Sequence, residues 1–188
     1  MRAYLVGLSA ITAVTAMASP CSAEGFRAEI HGGLDRVNGN DRGDTGLLYG
    51  VGLGYDLALG DRAFVGVDFS FDDSTQKECE ASALVNNDEL CLRAGRDLAA
   101  GIRGGVKLGE RGKLYALAAY TNARFKTRYT TPAGVITRDA DNLDGFRLGA
   151  GYQHKIAGNA YGKIEYRYSN YEAGIERHQA LMGVGFEF

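Results

Sequence analysis

Charged side chains recur at every second position in several stretches of this sequence. The clearest run is Lys163, Glu165 and Arg167, and Arg27 and Glu29 repeat the pattern near the start of the chain. Residues two apart lie on the same face of a β-strand, so each run would hold both signs of charge on one face. If such a face is withdrawn from water, its charges must neutralise one another, or they line a narrow path for ions.

The histidines and one acidic stretch are the candidates for catalysis or metal binding. Acyl transfer needs a histidine beside a serine or an acid. His31 is predicted to point inward, and neither His154 nor His178, which are predicted to point outward, has a serine at two-residue spacing. The stretch 139–145, DADNLDG, resembles a calcium loop, but Leu143 stands where an oxygen ligand is required. We therefore expect no enzyme activity, no cofactor and no metal site.

Residues 1–23 are typical of a secretory signal peptide. A basic start at Arg2 precedes an apolar, alanine-rich segment that ends in small residues. We place cleavage after Ala23, which leaves one domain of ordinary length. A lipoprotein anchor at Cys21 is the alternative, and the preceding Pro20 disfavours it.

Export would bring the remaining cysteines, Cys79 and Cys91, into an oxidising environment, so we expect them to form a disulfide. Two free thiols are the alternative, and a zinc site is disfavoured because no histidine or third cysteine lies nearby. The nearly balanced charge, 21 Lys and Arg against 23 Asp and Glu, offers no argument for nucleic acid as a partner.

Period-two alternation of apolar with small or polar residues recurs in eight places. Glycine is abundant, 27 of 188 residues, and it often occupies the second face, as Gly50, Gly52 and Gly54 do. Each stretch is therefore predicted to be a strand with one apolar face. The eight stretches are 26–35, 46–58, 63–72, 97–108, 113–125, 146–156, 160–169 and 178–188.

The connections between these strands alternate in length. LGDR, GERG and AGN are tight turns, whereas the other connections are longer and polar. An up-and-down barrel with one plain rim and one elaborated rim produces this pattern, and an even number of strands puts both termini at the plain rim. The longer connections are 36–45, 73–93, 126–143 and 170–176. The first of them contains the RGD tripeptide Arg42, Gly43 and Asp44. Chance occurrence is the default interpretation, and binding to an adhesion receptor is the alternative.

Aromatic residues on the apolar faces fall into two groups with small aliphatic residues between them. Two aromatic girdles around an aliphatic band are typical of a lipid-facing exterior, and strands of about ten residues suffice to cross a bilayer. A soluble ligand-binding barrel with an apolar interior is therefore disfavoured. The turn-end group is Phe26, Tyr55, Tyr115, Tyr152, Phe186 and Phe188, and the loop-end group is Tyr49, Phe69, Phe71, Phe146, Tyr166 and Tyr168.

We therefore predict an all-β fold, an eight-stranded antiparallel up-and-down transmembrane β-barrel over residues 24–188. Its polar faces would point inward, where charges form either a salt-bridged filling or a narrow, weakly conducting path. The predicted interior charges are Arg27, Glu29, Asp68, Asp97, Arg103, Arg124, Arg147, Lys163, Glu165 and Arg167, with Asp56, Lys107, Lys155 and Glu187 on the same faces.

The C-terminal segment 162–188, GKIEYRYSNYEAGIERHQALMGVGFEF, resembles a known family. It is similar to small eight-stranded outer-membrane barrels of alphaproteobacteria, the porin-like surface antigens related to opacity proteins and to OmpA-like transmembrane domains. The resemblance implies an exported outer-membrane protein, inserted by the barrel-assembly machinery, which reads Phe186 and Phe188 in the final strand as a signal.

We predict a structural surface protein with a salt-bridged interior, and a narrow diffusion channel and an adhesin acting through loops 73–93 and 126–143 are the alternatives. The expected partners are outer-membrane lipid, lipopolysaccharide, the assembly machinery and an extracellular ligand held by the loops. Nucleic acid is not expected, and the barrel is expected to be a monomer.

Overall fold

The computed structural model describes residues 23–38, 45–82 and 84–188, and these residues form a closed antiparallel barrel. Residues 1–22, on which the signal peptide prediction falls, lie outside this description. No helix in the described part of the chain is long and apolar enough to cross a membrane. The strands are β1 (Ala23–Asn38), β2 (Thr45–Leu59), β3 (Ala63–Ser74), β4 (Lys77–Ala81), β5 (Glu89–Leu108), β6 (Gly112–Thr130), β7 (Ile136–Ala157), β8 (Ala160–Tyr171) and β9 (Ile175–Glu187), with a 3₁₀ turn at Glu172–Gly174.

Eight of these strands form the ring, as the sequence predicts. Each pairs with its neighbours along the chain, except that β3 pairs with β5, and β1 closes the ring against β9. Closure leaves no unpaired edge in the ring, so the barrel offers no strand for aggregation at the seam. The remaining strand, β4, lies outside the ring and pairs with β5.

The two rims differ as predicted, but the longer connections are not irregular loops. Three tight turns close one rim, and Gly60 and Gly109 take positive φ values of +69° and +68° in two of them. At the opposite rim, β6 and β7 remain paired up to the bridge between Thr130 and Ile136, and β4 pairs with β5. The predicted loops 73–93 and 126–143 are therefore largely β-hairpins that extend beyond the ring. Cross-strand hydrogen bonds satisfy the backbone there, even though the side chains are mostly polar.

The inside and outside faces agree with the predicted alternation on every ring strand except β6. We predicted that Tyr115 and Leu117 would point outward and Arg124 inward, and the structure reverses both assignments. Tyr115 and Leu117 are buried in the barrel, whereas Arg124 is exposed on the outer face. Tyr115 points inward because its hydroxyl donates a hydrogen bond to Glu165, 2.5 Å away. The residue therefore belongs to no aromatic girdle.

Candidate functional site

The interior of the barrel is filled by ion pairs, and Asp97 on β5 is at the centre of one group. Its carboxylate accepts hydrogen bonds from Arg147 at 2.5 Å and from Arg177 at 2.8 Å. The hydroxyls of Thr121 and Tyr171 donate to the same carboxylate at 2.6 and 2.8 Å. All five side chains are buried. Two guanidinium groups therefore share one carboxylate that is fully buried.

A second group surrounds Asp72 on β3. Its carboxylate bonds Arg167 at 3.0 Å and Arg147 at 3.4 Å, and it lies 2.5 Å from the ring of His31. Arg167 also pairs with Glu165 on its own strand. Because Arg147 bonds both Asp72 and Asp97, the two groups form one network across the barrel.

The network continues toward the tight turns. Arg27 bonds Asp68 at 2.5 Å and approaches Asp56 at 3.5 Å, and Asp56 also pairs with Arg103. Further pairs join Lys163 to Glu29 and to Glu165, and Lys113 to Glu187. Charges buried without partners would cost several kcal/mol each, so this pairing is a condition for the fold.

Nine of the ten predicted interior charges lie on the inner face, and Arg124 is the exception. The alternation predicts Asp35 and Asp72 on the inward faces of 26–35 and 63–72, and both lie inside. Lys113 and Arg177 are members of the network that were not predicted. Arg177 bonds Asp35 through two nitrogens, each at 2.7 Å. The alternation that places Gln179 inward also places Arg177 inward. The predicted strand 178–188 begins one residue after Arg177, whereas the observed strand begins at Ile175.

A cluster of apolar side chains closes the barrel above the ion pairs. This hairpin-end plug consists of Val37, Ala94, Ala123, Phe125 and Tyr171, all buried. The rings of Phe125 and Tyr171 meet edge to face, with their centroids 5.6 Å apart. The plug is in direct contact with the ion pairs, because the Tyr171 hydroxyl also donates to Asp97.

A second cluster, the turn-end plug, consists of Phe64, Tyr115 and Leu117. The guanidinium of Arg103 lies 4.9 Å from the centroid of the Tyr115 ring and 5.3 Å from that of Phe64. Cation–π contacts of this kind stabilise a cation that has left water. The buried ion pairs thus lie beside two apolar clusters that the alternation does not predict, whereas the Lys113–Glu187 pair is partly exposed at the turn end.

The inward glycines of β2 make room for the charges of β1. A Cβ atom on Gly52 would lie 2.7 Å from Oε1 of Glu29, and one on Gly50 would lie 2.8 Å from Nε2 of His31. Real Cβ atoms do not approach other atoms so closely. The high glycine content is therefore explained, in part, by the volume of long charged side chains within a narrow barrel.

The outward histidines bond tyrosines. The Tyr166 hydroxyl lies 2.6 Å from Nδ1 of His178, and the Tyr152 hydroxyl lies 3.0 Å from Nδ1 of His154. Within the described residues, no serine hydroxyl bonds a histidine ring. These contacts fix the rings at the barrel surface without assembling a nucleophile and a base.

A disulfide cross-links the strands of one hairpin beyond the ring, and a side-chain hydrogen bond joins that hairpin to β6. Cys79 and Cys91 face each other across β4 and β5, and their sulfurs form the disulfide. The Tyr129 hydroxyl on β6 donates to Asp88 at 3.0 Å, and this bond to the carboxylate raises the pKa of Tyr129. The candidate adhesion tripeptide at 42–44 lies outside the described residues.

Comparison with known proteins identifies the family. The model of the family described as outer membrane protein beta-barrel domain matches residues 6–188. The chain belongs to this family. The protein is thus an outer-membrane β-barrel, and its exposed apolar band faces lipid, as the aromatic girdles predict. No curated protein sequence matches the chain significantly.

Solved outer-membrane barrels have the same fold. The attachment invasion locus protein Ail of Yersinia pestis, solved with the heparin analogue sucrose octasulfate, is 16% identical with a TM-score of 0.60, and the match covers 88% of this chain and 99% of Ail. Neisserial surface protein A is 14% identical with a TM-score of 0.59, over 89% of this chain and 99% of that protein. At such identities, the likeness shows the fold alone.

Proposed function

We propose that this outer-membrane barrel is a non-conducting structural surface protein without catalytic activity. The observation that carries the proposal is the packed interior, in which buried, paired charges and two apolar clusters fill the barrel. A water-filled path would need hydrated charges along the axis, whereas Asp97, Arg147 and Arg177 are buried and bonded to one another. The protein instead supports a sheet of hairpins on a rigid base.

The hairpin end would face the cell exterior. Both termini of the ring lie at the opposite rim because the strand number is even, and outer-membrane barrels place short turns and termini in the periplasm. This orientation makes the hairpins of β4 to β7 the part of the barrel that an extracellular ligand can reach.

Current recording in planar bilayers tests directly whether ions pass through the barrel. The purified, folded protein in planar bilayers is expected to give no discrete channel openings at applied potentials of either sign. A general porin reconstituted in parallel verifies that the bilayers accept barrels. Reproducible openings of uniform size would replace the structural role by the diffusion channel.

We also propose that Phe188 acts as an assembly signal in addition to anchoring the barrel. Its side chain is 70% exposed, its ring centroid lies 6.4 Å from that of Phe26, and its backbone N–H donates to the Phe26 carbonyl at 2.8 Å. Such peripheral contacts contribute little to the folded barrel, so a large effect of Phe188 on insertion would have to arise during assembly.

Deletion of Phe188 is therefore expected to lower the yield of inserted barrel in cells several-fold, while the protein that does insert unfolds at nearly the same urea concentration. Phe26→Ala is the matched control because it removes the same ring contact without changing the terminus. Equal insertion yields for the deletion variant and the full chain would refute the assembly role.

A further inference from the structure

One face of the projecting hairpin sheet is strongly basic. Strands β4, β5, β6 and β7 pair side by side beyond the ring, and the face that continues the outer surface of the barrel carries exposed cations. We call it the basic face. Its cations are Lys77, Arg93, Arg96, Arg124, Lys126, Arg128 and Arg138.

Several of these cations are direct cross-strand neighbours. Lys77 stands opposite Arg93, Arg93 stands opposite Lys126, and Arg128 stands opposite Arg138. Like charges directly opposite one another destabilise a sheet. Three such pairs on one face lower the stability of the free protein, and a bound polyanion would offset that loss.

The face contains little negative charge to neutralise the cations. Among the described residues of β4 to β7, the alternation places two carboxylates on this face, Glu89 and Asp144, and Asp139 lies at the edge of a cavity in it. Asp144 is hydrogen-bonded to Asn122 at 2.6 Å. Within the part of the chain that the structure describes, Arg93, Lys126 and Arg128 form no ion pair. The interior of the same barrel, by contrast, pairs its cations closely.

The basic face contains a shallow cavity of about 390 Å³. The basic cavity is lined by Arg93, Lys126, Arg128 and Arg138, together with Asp139. Guanidinium groups bind phosphate and sulfate oxygens through two parallel hydrogen bonds. The cavity therefore suits a ligand that bears such groups.

The position of the face favours a ligand in the same membrane. On β6, the outward residues run from Tyr120 in the girdle through Asn122 to Arg124, Lys126 and Arg128, without a break in register against β7. At about 3.3 Å per residue along a tilted strand, the cations lie roughly 10–20 Å above the girdle. They point sideways, toward neighbouring lipid head groups.

We propose that the basic face binds the phosphate-bearing saccharide head groups of lipopolysaccharide in the surrounding outer leaflet. The cations of β6 and β7 contact the phosphates, and the girdle below them contacts the acyl chains. The proposal rests on the orientation proposed above, in which the hairpins face the cell exterior.

Binding of purified lipopolysaccharide to the folded barrel in a zwitterionic detergent tests the site independently of that orientation. The triple variant K126Q/R128Q/R138Q is expected to bind at least about tenfold more weakly than the unaltered protein and to lose much of the salt dependence. Lipopolysaccharide stripped of its phosphates is expected to bind the unaltered protein as weakly as complete lipopolysaccharide binds the triple variant. The matched control R62Q/R111Q/K155Q, which neutralises three exposed cations of the turn end, should bind normally.

Equal affinity of the triple variant and the unaltered protein, or of phosphorylated and stripped lipopolysaccharide, would overturn the proposal. Heparin, a sulfated polysaccharide, forms the second arm. If heparin binds through these residues and lipopolysaccharide does not, the ligand comes from outside the membrane and the proposal is wrong. Labelling of an Asn86→Cys variant in intact cells reports the orientation separately, so that a failure there is distinguishable.

Discussion

Replacing Asp97 by asparagine is expected to lower the free energy of unfolding of the barrel by about 3–5 kcal/mol. The substitution keeps the shape of the side chain and removes its charge. Arg147 and Arg177, which bond this carboxylate at 2.5 and 2.8 Å, would then share a buried site without their common counter-ion. Urea unfolding in lipid vesicles, followed by the gel mobility of unheated samples, measures the loss.

Asp141→Asn is the matched control, since Asp141 is exposed on β7 near the hairpin end. It removes the same charge from the chain and should change the stability by less than about 0.5 kcal/mol. The double variant Asp97→Asn with Arg147→Met should recover part of the loss because it removes one of the two cations that Asp97 neutralised. If Asp97→Asn were as stable as the unaltered barrel, the ion pairs would not be holding the interior together.

Substitution of Gly52 by valine is expected to prevent the barrel from folding. The new side chain would occupy the space of the Glu29 carboxylate, because a Cβ atom at this position lies 2.7 Å from Oε1. Overpacking alone costs about 1–3 kcal/mol. Displacing Glu29 also breaks its ion pairs with Lys163 and Arg27, which weakens the neutralisation of two buried cations. The measurement is the fraction of protein that shows the compact, heat-modifiable form after refolding into vesicles.

Val51→Leu is the control for this change. It adds one methylene group to the neighbouring residue, which is 48% exposed on the lipid-facing surface and has room around it. The control is expected to fold with a normal yield. A normal yield of folded Gly52→Val would show that the interior accommodates a larger side chain at this position. The glycines of β2 would then need an explanation other than lack of space.

Much of the barrel could be predicted from the sequence because a strand repeats every two residues and one face must suit lipid. The alternation in 160–169 and 178–188 identified the inward residues correctly. On β6 the same reasoning failed. Leu114, Ala116 and Ala118 face outward there, while the larger Tyr115 and Leu117 fill the interior. Residue size does not distinguish lipid from a plug, since both accept apolar side chains.

The partners of the interior charges and the two plugs could not be predicted because they depend on contacts between distant strands. Arg147 bonds Asp72, which lies 75 residues away in the chain, and Arg177 bonds Asp35 at a separation of 142. The strand extensions were missed for a different reason. Arg124, Lys126 and Arg128 alternate as strand residues do, but a polar stretch of this kind is equally typical of a loop.

The closure of β1 against β9 constrains how this barrel can ever open. A charged residue in the middle of a bilayer costs about 2.5–3.5 kcal/mol even on the mildest scale. Separating the two strands would turn Arg27, Glu29 and Lys163 toward acyl chains. A partly opened sheet is therefore strongly disfavoured in the membrane, and we expect the eight strands to unfold cooperatively. Exchange of strands between two neighbouring copies would require such an opened sheet. We therefore expect no domain swapping between barrels once they are in the bilayer.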